Sequence, residues 1–262
     1  MRTSVRVFWL PKAGSSLAEY EDAFWPRQTG ELSGVLRLAV TDGATETSFS
    51  GLWARLLVNS YGRGRLAEAD FDAELNRIRR VWQRAVGQKP LAWYAEEKLR
   101  LGAFSSLTGL TLFPPTGRDG NGGPLQALSI GDSCLFQLRR GRPVWSFPFS
   151  DSEDFNSRPL LISSLERASD HAVAAQRVNA EWQFGDVFFL MTDALACWAL
   201  RCLESGADPF ALLQAVQSLT EFEALIADQR GCTDPEGIPL LKNDDVTLLV
   251  FAPECFDAEG RQ

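Results

Sequence analysis

Gly185-Asp186-Val187-Phe188-Phe189-Leu190-Met191-Thr192-Asp193-Ala194 is an apolar run stopped by an aspartate. A run this short, rich in aromatic and aliphatic side chains, reads as a strand covered on both faces. The pattern occurs twice more: Gly34 to Thr41 (GVLRLAVT) runs into Asp42-Gly43, and Asp244-Asp245 opens Val246 to Phe251 (VTLLVF). A fourth acidic pair, Glu21-Asp22, opens the strand Asp22 to Trp25. A carboxylate beside a fully apolar strand is held near a sheet edge, and several meeting there repel one another unless a cation neutralises them. Hard divalent ions such as Mg²⁺ and Mn²⁺ select carboxylate and carbonyl oxygens. Asp before Gly is also a turn residue and Asp before a helix an N-cap, so each position alone has a structural reading too.

Around these strands the chain alternates strand-rich and helix-rich blocks. Val5 to Leu10 reads as a first strand. Helices are expected over about Phe49 to Tyr61, ending at Gly62, and over about Glu68 to Val86, where Phe71, Leu75, Ile78, Trp82 and Ala85 recur at spacings of three and four. A third is expected after Pro90, running to Leu101 with Gly102 as its cap. Strands return from Phe104 to Leu112, followed by a loop over Pro114 to Pro124 and strands at Leu125 to Ile130 and Cys134 to Leu138. Gly131-Asp132-Ser133 between the last two suits a tight turn, and Arg140-Gly141 makes the next turn towards Val144-Trp145. After an irregular stretch and the strand quoted above come helices from Ala194 to Glu204, from Pro209 to Gln217 behind the cap Asp208, and behind a Thr220/Glu223 capping box. Interleaved blocks of this kind place strands distant in sequence in shared sheets, an α/β or α+β layered domain.

The chain has 262 residues, of which 45% are hydrophobic and 23% charged, enough to bury a sizeable core. It divides at no linker, so residues 1–262 are read as a single domain. A net charge of −8 argues against nucleic acid as partner. The one compact basic group, Arg77, Arg79, Arg80 and Arg84, reads as the solvated face of a helix. Five cysteines without a CxxC pair indicate neither a disulfide framework nor a zinc site, and a reducing cytoplasm fits them best. No apolar run is long enough for a signal peptide or a membrane span.

In their order these motifs resemble those of the metal-dependent serine/threonine protein phosphatases of type 2C, the PPM family. Tyr20-Glu21-Asp22-Ala23-Phe24 is similar to the family's Asn-Glu-Asp-Ala-Phe, and Ala39-Val40-Thr41-Asp42-Gly43 to its strand ending in Asp-Gly. Ala127 to Ser133 with Arg140-Gly141 resembles the Ala-Asn-Val-Gly-Asp-Ser block and its Arg-x-Gly turn. Gly185-Asp186 through Thr192-Asp193, and Asp244-Asp245-Val246-Thr247, resemble the Gly-Asp…Ser-Asp-Gly and Asp-Asn-x-Thr blocks. The resemblance implies an α+β fold, a four-layer α-β-β-α sandwich of two antiparallel sheets flanked by helix pairs. It also implies two Mn²⁺ or Mg²⁺ ions held by Glu21, Asp22, Asp42, the carbonyl of Gly43, Asp193 and Asp244. The implied reaction is attack on phosphorus by a metal-activated water, held and oriented by Asp42 and Asp193.

Several positions depart from the family pattern. Ala44-Thr45-Glu46 follows Asp42-Gly43 where the family has a His, and the lone histidine, His171, reads as a surface or helix residue. The family's phosphate-binding Arg falls on Leu17, for which Lys12 or Arg63 are candidate substitutes. Ala194 replaces a Gly and Asp245 an Asn, so either Asp of the last pair could be the ligand. The resemblance therefore implies a cytoplasmic protein phosphatase acting on phosphoserine or phosphothreonine, with a phosphorylated protein substrate, a partner kinase and no membrane. The missing phosphate contacts suggest as alternative a pseudophosphatase that binds or regulates, and a phosphatase for small phosphorylated metabolites is a third reading.

Overall fold

The computed structural model describes residues 2–44, 49–68, 70–87, 100–116, 120–155, 159–166, 175–234 and 237–254. Its elements are β1 (Arg2–Leu10), β2 (Ala23–Trp25), β3 (Gly30–Ser33), β4 (Leu36–Thr41), α1 (Ser50–Gly62), α2 (Arg65–Glu68), α3 (Phe71–Gly87), β5 (Phe104–Ser105), β6 (Leu107–Leu112) and β7 (Gly122–Ile130). There follow β8 (Cys134–Arg139), β9 (Arg142–Phe147), β10 (Ile162–Ser163), β11 (Gln176–Gln183), β12 (Asp186–Met191), α4 (Asp193–Glu204), α5 (Pro209–Ala215), α6 (Leu219–Gly231) and β13 (Val246–Phe251). Two large antiparallel sheets result, a six-stranded one in the order β3-β1-β13-β12-β8-β9 and a five-stranded one in the order β11-β7-β6-β4-β2.

Alternation along the strands explains why their sequences are apolar on both faces. On β4, Leu36, Leu38 and Val40 enter the core between the sheets, with Leu249 and Phe251 of β13 and Phe188 and Leu190 of β12. The intervening Ala39 packs under Trp53, Leu57 and Tyr61 of α1 and Trp82 of α3. On the other sheet, Phe189 and Met191 of β12 and Leu248 and Val250 of β13 face Leu195, Trp198 and Ala199 of α4, Phe210 of α5 and Phe222 of α6. Three apolar layers separate four structural ones, the architecture the resemblance implies.

The termini of the elements depart from the sequence reading for local reasons. The helix expected from Glu68 is broken, because the Asp70 carboxylate accepts the amides of Asp72 (3.1 Å) and Ala73 (3.2 Å) and starts α3 anew. The cap of α6 is Ser218, whose hydroxyl accepts Glu221 N, rather than Thr220. Arg79 is buried, donating to Ser163 O and Asn76 Oδ1, so the basic group on α3 is not wholly a solvated face. Strands β3 and β11 escaped the sequence reading: β11 alternates exposed and half-buried positions, the mark of an edge strand. The helix expected after Pro90 falls largely on 88–99, outside the described residues, as do His171 and Cys255. The other four cysteines are free thiols. Among the described residues no helix is long and apolar enough to cross a membrane.

Asp186, the aspartate of the Gly185-Asp186 motif, is a structural anchor. Fully buried, it receives a bidentate pair of hydrogen bonds from Arg139 (2.7 and 2.8 Å), one from Gln137 Nε2 (2.7 Å) and one from Gln183 N (2.8 Å). Removing one partner of such a network strands the others. Asp186→Ala is expected to destabilise the fold by about 3 kcal/mol, read as a lowered midpoint in urea unfolding.

Candidate metal centre

Strand register brings the acidic residues to one end of the sandwich. Ala23 of β2 pairs with Thr41 of β4, so Asp22 and Asp42 lie one step beyond the same rung. Met191 of β12 pairs with Leu248 of β13 on one side and Cys134 of β8 on the other, placing Asp193 beside the turn holding Asp132 and the start of β13. Asp22 joins the two sheets: its Oδ2 accepts the hydroxyls of Thr192 (3.0 Å) and Thr247 (2.7 Å).

Backbone contacts hold the loops in place. Asp42 O accepts Ser105 Oγ (2.7 Å) and Ser106 N (2.9 Å), Asp42 N donates to Ser106 Oγ (2.9 Å), and Ser106 Oγ meets Ser133 Oγ (2.8 Å). The Asp245 carboxylate accepts the amides of Lys12 and Glu21 at 2.8 Å each. Asp244, in contrast, directs Oδ2 to Lys242 Nζ at 2.6 Å, and the same ammonium lies 3.8 Å from Asp193 Oδ2. Glu21 stands at the margin, its carboxylate accepting Ser50 Oγ on α1.

Glycine is required at 43. A Cβ there would lie 2.7 Å from Glu21 O and 3.2 Å from the Ser50 carbonyl carbon, both backbone atoms. Gly43→Ala is expected to push these segments apart and to weaken Mn²⁺ binding about 10- to 100-fold in calorimetric titration, the scale of displaced supporting groups.

The cluster's charges oppose one another. Burial, then the charges of Asp193, Asp22, Asp132 and Asp244, raises the Asp42 pKa well above the carboxylate range. Asp22 is raised chiefly by burial and then by Asp245 and Asp193, against the pull of its hydrogen bond from Thr247. Asp193 is raised by burial while Lys242 draws it back. Burial and Asp193 push Asp132 up to about 7. Two buried carboxylate oxygens, Asp22 Oδ1 and Asp132 Oδ1, have no hydrogen-bond partner.

Among the described residues, no three His, Cys, Asp or Glu side chains already close on one point as a bound metal would hold them. The donor chemistry still fits a hard divalent cation: the groups are all oxygen, mutually repelling and buried or half-buried, and two oxygens are orphaned. Of the residues expected from the sequence, Asp22, Asp42, Gly43, Asp193 and Asp244 share this end of the molecule, and Glu21 borders it. Asp132, read from the sequence as a turn residue within the Gly-Asp-Ser block, makes that turn and, through the β8–β12 pairing, also belongs to the cluster. Leu17 is 69% exposed on a 3₁₀ turn. Arg63 follows the C-terminus of α1, about 20 Å along the helix from Ser50, and is no substitute for the family arginine.

No family model matches the chain, and no curated protein matches it. Solved structures do. The serine/threonine phosphatase PstP/Ppp of Mycobacterium tuberculosis superposes with a TM-score of 0.59 at 16% identity, covering 97% of this chain and 100% of that one. The photosystem II phosphatase PBCP gives 0.56 at 16% identity, covering 96% and 99%. The chain has the fold of the type 2C phosphatases. The catalytic domain of PstP in complex with two manganese ions also matches, with a TM-score of 0.51 at 17% identity over 95% of this chain and 98% of that one. RsbX in complex with magnesium matches at 0.51 and 17% identity over 96% and 95%.

Proposed function

We propose that this protein is a divalent-cation-dependent phosphatase that hydrolyses phosphoserine and phosphothreonine on proteins. The observation that carries the reading is the set of buried and half-buried carboxylates at one end of a type 2C sandwich, with orphaned oxygens on Asp22 and Asp132. Asp42, Asp193 and Asp244, with the Gly43 carbonyl, Glu21 and Asp22, would hold Mn²⁺ or Mg²⁺. Such ions, when bound, neutralise phosphoryl charge and lower the pKa of water.

The chain's own groups do the positioning. Asp22 fixes Thr192 and Thr247 and thereby the approach of α4 to β13. Asp245 ties the Lys12 and Glu21 backbones to the cluster, leaving Asp244 as the ligand of the pair. Lys242 keeps a positive charge at the mouth, where it offsets repulsion between Asp193 and Asp244 and attracts an incoming phosphate. Asp132 adds a further buried carboxylate to the cluster, with one oxygen left without a hydrogen-bond partner.

The test is release of inorganic phosphate from a phosphothreonine peptide and from sugar phosphates, with Mn²⁺ and with EDTA. Mn²⁺-dependent release from the peptide in preference to the sugars is expected. Release from sugars alone would replace the protein substrate with a metabolite, and no release from either would overturn the reading.

A further inference from the structure

Beside the acidic cluster, on the far side of Glu21, lies a cavity of about 450 Å³ between the loop following β1 and the first turns of α1. This volume falls within the roughly 300–1,000 Å³ of ligand pockets. Its charged walls are Lys12, Glu19, Glu21 and Arg55. The two carboxylates are engaged: Glu19 accepts the amide and hydroxyl of Ser16 at 2.8 Å each, and Glu21 accepts Ser50 Oγ. The two cations are not. Among the described residues, neither Lys12 Nζ nor the Arg55 guanidinium has a hydrogen bond or ion pair.

Arg55 lines the cavity wall. A Cβ built on Gly51, one helical turn back, would sit 3.4 Å from Arg55 Nη1 and 3.5 Å from both Glu21 Cα and Tyr20 O. The guanidinium thus borders the backbone that leads into the cluster, and Arg27 adds a second positive charge nearby. Among the described residues these cations form no ion pair, Lys12 sensing only the nearby charge of Glu19, so they remain able to take an anion from elsewhere. A guanidinium offers a planar fork of donors that matches a carboxylate or a phosphate.

We propose that this cavity is an oxyanion-binding subsite in which Arg55 and Lys12 take an acidic group flanking the phosphorylated residue of the substrate. The proposal rests on the phosphatase reading for the placement of the reacting phosphate over the cluster. It adds a preference for phosphorylated sites in acidic surroundings.

The test is fluorescence anisotropy of labelled peptides carrying a non-hydrolysable phosphonate analogue of phosphothreonine, with the full chain in Mn²⁺. Three peptides differ only in the flanking residue, which is Glu, phosphoserine or Gln. The wild-type protein is expected to bind one or both anionic peptides about tenfold more tightly than the Gln peptide. Arg55→Ala and, to a smaller extent, Lys12→Ala should erase that preference, while Arg55→Lys keeps part of it. Arg55 is exposed on its helix, so Arg55→Ala is compatible with the fold, and the urea midpoint checks this. The Glu and phosphoserine peptides tell which anion the cavity takes. Equal binding of all three, no measurable binding of any, or a preference that survives Arg55→Ala overturns the subsite. Acid-selective binding without phosphate release from a hydrolysable peptide would sink the catalytic reading and leave the subsite standing.

Discussion

Asp42→Asn and Asp193→Asn should each lower Mn²⁺-dependent phosphate release by about a thousandfold, while neither variant unfolds. The two expectations have one cause. Both carboxylates are raised in pKa first by burial, Asp42 then by the charges of Asp193, Asp22, Asp132 and Asp244 and Asp193 by that of Asp244, so the fold carries charges it disfavours there. An amide of the same shape removes a repelling charge and with it an oxygen ligand of full negative charge. Stability in EDTA should therefore hold or rise as activity falls, a combination that a merely structural aspartate would not give. Phosphate release at saturating Mn²⁺ and thermal midpoints in EDTA check both halves. Unchanged release in either variant would place the chemistry elsewhere.

In EDTA the protein should lose stability as pH rises from about 5 to 8, and Mn²⁺ should restore it. The sign follows from the direction of the shifts. Asp132 is raised from 3.8 to about 7 in the folded chain, so the folded state binds its proton more tightly than the unfolded state does. Its contribution is fully present below the unfolded pKa and is lost as pH rises through 7, reaching roughly 4 kcal/mol at most. Asp22, Asp42 and Asp193 shift in the same direction for the same first cause, burial. Glu74, lowered by its hydrogen bond from Arg77, acts oppositely, but it titrates below its ordinary 4.5 and outside this window. A cation held by the carboxylates favours their charged forms and inverts the trend. The measurement is the thermal midpoint across pH in EDTA and in Mn²⁺. A midpoint in EDTA that is flat or rises over this range contradicts the account, as does a midpoint at pH 8 that Mn²⁺ does not move.

The parts of the fold that were legible in the sequence are those buried on both faces. Val246–Phe251 was placed to the residue, because a strand between a helix layer and a second sheet has apolar side chains throughout. Strand β11 was not found, since its edge position leaves Gln176, Arg177 and Glu181 in solvent and weakens its pattern. The helix caps at Asp70 and Ser218 depend on which of several nearby polar side chains turns back to an amide, which spacing alone does not decide.

The site divides in the same way. Asp42 and Asp193 end apolar strands and stand out in a linear reading. Asp244 and Asp245 differ only in three dimensions: the carboxylate of Asp245 accepts two backbone amides from a distant loop and that of Asp244 faces Lys242. Lys12 is already a candidate in the sequence, whereas Asp132 and Arg55 are brought to this end of the molecule by pairing and packing over long sequence separations.

The account stands on the clustered carboxylates being a site for divalent cations. Anomalous diffraction from a crystal soaked in Mn²⁺ tests this most directly. The expected result is manganese density bonded to Asp42, Asp193 and Asp244. A map with no peak among these side chains, at Mn²⁺ concentrations that saturate any activity, would contradict it.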